Sequence, residues 1–260
     1  MALTIGWWTM DVTDAPGLAP FYEQLLGWHR LFEDPVEGIA LVPPGDLVWG
    51  GHGLLLYADH TTGPKRTKNP AHLDLRPADQ AASVEQALSL GARPVDIGQG
   101  NADWEVLADP EGNELCILAA DRTVAEDLVV ACWALDVADV DRAARFWGGL
   151  LGWEVVDRDN DGVRLQDPDR TAIPLDLFAV PDARQGKNRV HPDLIPSGEE
   201  GDRESQRREV ERALSLGARR VDIGQGDATW EVLVDTEGNE LCVLGPRGYL
   251  PEGGSARTSG

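Results

Sequence analysis

The sequence predicts an α+β protein built from four β-α-β-β-β modules in two pairs. Ala87 to Leu118 recurs as Ala213 to Leu244 with 26 of 32 positions identical, so the chain holds one unit twice. Within each copy, short runs of period two alternate with amphipathic stretches closed by glycine, which is the pattern of strands and helices in turn. At 260 residues the chain is long enough for two such units with their own cores. The units are placed at 1–118 and 129–244, with a polar linker over 119–128. A Gly/Pro/Ser-rich tail over 245–260 is expected to be disordered.

The first strand is read at Ile5 to Val12. Trp8, Met10 and Val12 alternate with Trp7, Thr9 and Asp11, so the apolar side packs under a helix and the mixed side faces a cleft or solvent. In the second copy Trp133, Leu135 and Val137 alternate with Cys132, Ala134 and Asp136. A helix follows through Leu18, Phe21, Tyr22, Leu25 and Leu26, with Gly27 as its stop. Three strands come next, at Trp28–Glu33, Gly38–Val42 and Gly53–Tyr57, matched by Trp153–Asp157, Gly162–Gln166 and Ile173–Phe178. After a polar loop, His72–Leu75 opens the second module, with His72 and Asp74 opposite Leu73 and Leu75. Its helix runs through Val84, Ala87, Leu88 and Leu90, with Gly91 as its stop, and strands are expected at Arg93–Ile97, Trp104–Ala108 and Glu114–Leu118. The second copy carries seven extra residues between His191 and Ala213, read as a surface loop.

The charge balance of 23 basic against 45 acidic residues gives −22, a field that repels nucleic acid and anionic membranes. No stretch is apolar for the roughly 18 residues of a membrane span, and MALTIGWWTMDV lacks the basic and apolar regions of a signal peptide. A cytoplasmic location is expected. Three cysteines without CxxC spacing argue against a disulfide scaffold or a structural zinc ribbon. Nine tryptophans fit either a core or a pocket for a flat ligand.

Asp14 followed by PFYEQLLGW, then KNPAHLDL, then WEVLADPEGNELCIL, resembles the vicinal oxygen chelate superfamily. That superfamily includes glyoxalase I, bleomycin-resistance proteins and extradiol dioxygenases, and the closest resemblance is to its glyoxalase-like subgroup. The resemblance implies modules paired into curled sheets around cups, with metal-ligand positions on defined strands. On the first strand that position falls on Trp7 and Cys132, on the strand opening the second module on His72 and His191, and on the last strand on Cys116 and Cys242. Glu114 and Glu240 lie two residues earlier. Indole cannot ligate a metal, whereas thiolate can, so at most one cup is expected to hold a divalent ion, zinc being most compatible. The set drawn is Cys132, His191 and Cys242. If strands are exchanged between the halves, Cys132 meets His72 and Cys116 instead.

Asp11, Asp136, Asp74, Glu114 and Glu240 share the histidines' side, and crowded carboxylates beside imidazole suit proton shuttling or a cationic ligand. Lys68 and Lys187, at one spacing before the histidines, either position an anion or are merely solvated. Among the tryptophans, Trp7 is the one expected to stack on a flat ligand, and the others are assigned to packing. Two functions are compatible with these residues. One is a protein binding a small aromatic or cationic molecule through Trp7, Asp11, Asp136, Glu114 and Glu240. The other is a lyase or isomerase with His72 or His191 as base beside Asp74 or Asp193, with or without a metal. The expected partner is a small molecule rather than nucleic acid or membrane, and the chain is expected as a monomer or homodimer.

Overall fold

The computed structural model describes residues 3–36, 38–45, 53–58, 65, 67–123, 128–181, 186–196 and 203–245. The first module comprises β1 (Thr4–Val12), α1 (Ala15–Leu26), β2 (His29–Asp34), β3 (Gly38–Val42) and β4 (Gly53–Ala58). The second comprises β5 (Ala71–Pro77), α2 (Gln80–Ser89), β6 (Arg93–Pro94), β7 (Glu105–Ala108) and β8 (Glu114–Ile117). In the second half, β9 (Leu128–Val137), α3 (Val140–Leu151), β10 (Glu154–Arg158), β11 (Gly162–Gln166) and β12 (Leu175–Ala179) form the third module. The fourth holds β13 (Val190–Ile195), α4 (Arg203–Ser215), β14 (Arg219–Arg220), β15 (Glu231–Val234) and β16 (Glu240–Val243).

Helices α1, α2 and α3 each begin at an aspartate whose side chain caps an open N–H group. Asp14 accepts from Gly17 N at 3.0 Å and Asp139 from Arg142 N at 2.9 Å, while Gly27 and Gly152 close α1 and α3 at φ 65° and 70°. The turn between β7 and β8 braces α1 in addition: Glu111 accepts from Asp14 N at 2.7 Å and from Thr13 N at 2.9 Å. Glu237 does the same for Ala138 and Asp139 at the start of α3, at 2.9 and 3.1 Å. Below each turn lies a buried acid. Asp109 accepts from Tyr22 Oη at 2.9 Å, and Asp235 from Trp147 Nε1 at 3.1 Å.

The strands assemble into two mixed eight-stranded sheets, and each sheet takes one module from each half. The first runs β14-β15-β16-β13-β1-β4-β3-β2, the second β10-β11-β12-β9-β5-β8-β7-β6. Module 1 therefore joins module 4, and module 3 joins module 2, through antiparallel seams. At one seam Trp7 faces Asp193 and Thr9 faces His191; at the other Cys132 faces Asp74 and Ala134 faces His72. One face of each sheet carries the helices and the main core, where Trp8 and Trp133 stack at 4.4 Å between ring centres. The other face carries the residues singled out from the sequence.

Some boundaries differ from expectation. The strand expected at Arg93–Ile97 is confined to Arg93–Pro94, with one further bond from Val95 N to the Val106 carbonyl at 3.1 Å, before Asp96 turns the chain by accepting from Gly98 N. Pro174, which supplies no N–H, delays β12 to Leu175. Leu128, read as the end of the linker, already belongs to β9. Residues 124–127 of the linker, 197–202 of the insertion and 246–260 of the tail lie outside the described residues.

Candidate functional site

Corresponding positions of the two sheets can be compared row by row, because strand pairing fixes which side chains lie next to one another on one face. In the first sheet one row reads Phe32, Ala40, Leu55, Thr9, His191. In the second the same row reads Asp157, Arg164, Asp176, Ala134, His72. The adjoining row holds Trp7, Asp193 and Cys242 in the first sheet, and Cys132, Asp74 and Cys116 in the second. His, Asp and Cys are thus common to both cups, and their surroundings differ.

The first cup is filled by its own side chains. Trp7 is 3% exposed and meets Phe32 edge-on at 6.0 Å; Ala40, Val42, Val232, Cys242 and Leu244 complete the buried cluster, with Trp230 packed against it. Gly53 makes room for the ring, since a Cβ there would lie 2.3 Å from Trp7 Cζ3. Trp7 was expected to offer a face to a ligand; here that face is covered.

The second cup has polar groups in those places. Arg164 donates through Nε and Nη2 to both oxygens of Asp176, at 2.7 and 2.6 Å. Val95, Ile97 and Trp104 join no buried apolar cluster among the described residues, and Trp104, the counterpart of Trp230, is 39% exposed. Of five carboxylates, three carry a cation: Glu114 pairs with Lys65, Asp136 with Lys68 and Asp176 with Arg164, while the exposed Asp157 accepts from Arg158 N at 2.9 Å. Asp74 stands apart. Its Oδ1 is buried without a hydrogen-bond donor, 3.4 Å from His72 Nε2, and His72 Nδ1 is likewise buried without a partner.

Lys68 and Lys187 are neither simply solvated nor held ready for an anion. Each reaches across the halves, Lys68 to Asp136 and Lys187 to Asp11 at 2.7 Å. Glu114 and Glu240 accept from the backbone N–H groups of Asn69 and Asn188, both at 3.1 Å. In the first cup Thr9 Oγ1 donates to Asp193 at 2.7 Å, where the second cup has Ala134. Burial pushes the thiols of Cys116, Cys132 and Cys242 up, and the neighbouring Asp74 or Asp193 adds to this, so all three are neutral at pH 7. Burial also raises the carboxyl of Asp193, against the opposing pull of His191 and Thr9. A neutral thiol is a poor nucleophile, which leaves the imidazole-carboxylate pair as the group equipped to move a proton.

The metal set drawn from the sequence, Cys132 with His191 and Cys242, is divided by the fold. Cys132 lies on β9 in the second sheet, its Sγ 3.7 Å from Asp74 Oδ2, whereas His191 and Cys242 lie in the first sheet. The groups brought together are His72, Asp74 and Cys116, and separately His191, Asp193 and Cys242, each with one ligand atom per residue within 4.8 Å of the others. The buried, unpartnered His72 Nδ1 and Asp74 Oδ1 fit a bound ion, and the N, O and S donors suit zinc. Sequence reading missed Arg164, Asp176, Thr9 and Trp104 as site residues. Laying Ala40 on Arg164 and Leu55 on Asp176 shows the change of character, but their place on the cup face depends on strand pairing.

Four β-α-β-β-β modules paired into two mixed eight-stranded sheets are the architecture of a glyoxalase-type protein. The chain belongs to the glyoxalase-like domain family, whose model matches residues 7–118 and 132–244, and so to the vicinal oxygen chelate superfamily. Glyoxalase I from Zea mays is similar in fold, with TM-score 0.64 and 15% identity over 96% of this chain and 95% of that one. A putative dioxygenase from Bacillus subtilis subsp. subtilis str. 168 gives TM-score 0.58 and 16% identity over 96% of this chain and 88% of that one. At such identities the likeness is one of fold alone. No curated protein matches the sequence. Among the described residues no helix is long and apolar enough to cross a membrane.

Proposed function

We propose that the chain binds a small molecule in the second cup, between β5, β8, β9 and β12, and that the ligand carries a flat ring and a cationic or hydrogen-bond-donating head. The observation that carries this reading is the contrast between the cups, one filled by Trp7 and the other lined with polar groups and leaving Trp104 exposed. Three of its five carboxylates are paired with cations and Asp157 is exposed, so the negative charge inside the cup is centred on Asp74. That charge matches one ammonium or amidinium group at the acceptor Asp74 Oδ1, with the ring against Trp104. The test is fluorescence titration with a panel of aromatic amines and amidines. Wild type is expected to show saturable quenching, with affinity reduced about tenfold or more in Asp74→Asn. Equal binding by wild type and Asp74→Asn, or quenching that survives Trp104→Leu unchanged, would sink the reading.

A second reading, a metal-assisted lyase or isomerase, is favoured by one observation: the mutual approach of His72, Asp74 and Cys116 ligand atoms. Those three, with Cys132 beside Asp74, would hold the ion, which when bound supplies Lewis-acid polarisation of a substrate oxygen. In a metal-free form of the enzyme His72 would instead take the proton and Asp74 orient it, since an imidazole bound to an ion has no lone pair left for a proton. Metal content of protein purified without chelators distinguishes the readings. About one zinc per chain that disappears in Cys116→Ser favours the enzyme, and a metal-free wild type grown with added zinc excludes this form of it.

A further inference from the structure

A cleft of about 750 Å³ opens beside the second cup, bounded by Thr13, by Lys65, Thr67 and Lys68, by the start of β6, by the β7–β8 turn and by Arg189 from the other half. In a chain of net charge −22, four cations line it: Lys65, Lys68, Arg93 and Arg189. Its three acids are largely engaged with internal donors. Glu111 accepts from the Thr13 and Asp14 N–H groups and lies 3.6 Å from Arg189, Glu114 accepts from Asn69 N and Lys65, and Asp96 accepts from Gly98 N. Arg93 makes no hydrogen bond or ion pair among the described residues. Its Nη2 lies over Gly112, where a Cβ would approach to 3.2 Å, so the glycine leaves the guanidinium its place at the cleft.

The geometry points to a second binding site, for a small molecule bearing a carboxylate or phosphate group. Arg93 offers its planar fork for two parallel hydrogen bonds, and Arg189 adds positive charge at the other side of the cleft, while Lys65 and Lys68 stay paired with Glu114 and Asp136. The other half lacks an equal site, because Pro70 stands where the repeat would place the counterpart of Arg189. This site is separate from the one proposed within the cup, although Lys68 and Glu114 border both.

The test is calorimetric titration of the full chain at low ionic strength with pyrophosphate and, separately, with malonate. Arg93→Ala and Arg93→Gln serve as variants, with their folding checked by circular dichroism; the site is exposed on a two-residue strand. At least one probe is expected to bind wild type, to weaken about tenfold or more in both variants, and to weaken with added sodium chloride. Preference for pyrophosphate or for malonate assigns the phosphate or the carboxylate class. Asp74→Asn is expected to bind the probe as wild type does, which separates this site from the cup. Failure of both probes to bind wild type, or equal affinity in folded Arg93→Gln, overturns the inference.

Discussion

Gly53→Ala tests whether the first cup is closed by Trp7. The added Cβ would lie 2.3 Å from Cζ3 and 2.5 Å from Cε3 of the indole, against an ordinary carbon–carbon contact of about 3.5–4.0 Å. The ring must therefore withdraw by about 1 Å or more, into a cluster where Trp7 is only 3% exposed and Phe32 lies edge-on. Overpacking of this kind costs about 1–3 kcal/mol. Without the clash, alanine in place of glycine would be neutral or stabilising by about 0.4–1 kcal/mol, through the entropy of the unfolded chain. Urea unfolding followed by circular dichroism measures the difference, and the same substitution in a Trp7→Leu background completes a double-mutant cycle. The expected coupling is about 1–3 kcal/mol, with ligand binding in the second cup unchanged. Equal cost in both backgrounds would refute the steric argument, and loss of ligand binding in folded Gly53→Ala would place the working cup in the wrong sheet.

Burial raises the carboxyl of Asp235 from 3.8 to about 6 despite the hydrogen bonds it accepts. The native state then holds more protons than the unfolded chain across that window, so this group makes stability fall as pH rises from 3.8 to about 6, by about 3 kcal/mol, and has no further effect above it. In Asp235→Asn that loss disappears, and the change in unfolding free energy between pH 4 and pH 7 becomes correspondingly more positive; parallel pH profiles for the two proteins would contradict this. Glu237→Ala removes the acceptor shared by the N–H groups of Ala138 and Asp139 and by Arg142 Nε at 2.7 Å, with an expected cost of about 2 kcal/mol read as a lower thermal midpoint. An unchanged midpoint would show that the turn does not brace α3.

The sequence made the modules legible because period-two alternation is a direct image of a sheet with one face in the core. Trp8, Met10 and Val12 did go under the helices, and Trp7, Thr9 and Asp11 to the other face. Which modules share a sheet was not legible: β1 beside β13 and β1 beside β5 bury the same apolar sides, so hydrophobic pattern alone does not choose. Two errors about the site follow from that ambiguity and from base rates. Cys132 was grouped with His191 because the partner strand was unknown, and Trp104 was assigned to packing because most tryptophans pack. Arg164 and Asp176 went unread because a charged residue on a short strand gives no sign that the neighbouring strand will turn it toward a cavity.

The division of each sheet between the halves separates what is held in common from what varies. The repeated 32-residue stretch lies in the second and fourth modules, with His, Asp, Glu and Cys presented by one wall of each cup. Trp7, Phe32, Ala40 and Leu55 all belong to the first module, and Cys132, Asp157, Arg164 and Asp176 all to the third. Each cup is thus a standard fitting closed by an interchangeable cover. Transplanting residues 128–181 into the place of the first module would carry a whole polar wall at once to the other His-Asp-Cys group, so the unit of redesign in this chain is the module rather than the half or the single residue.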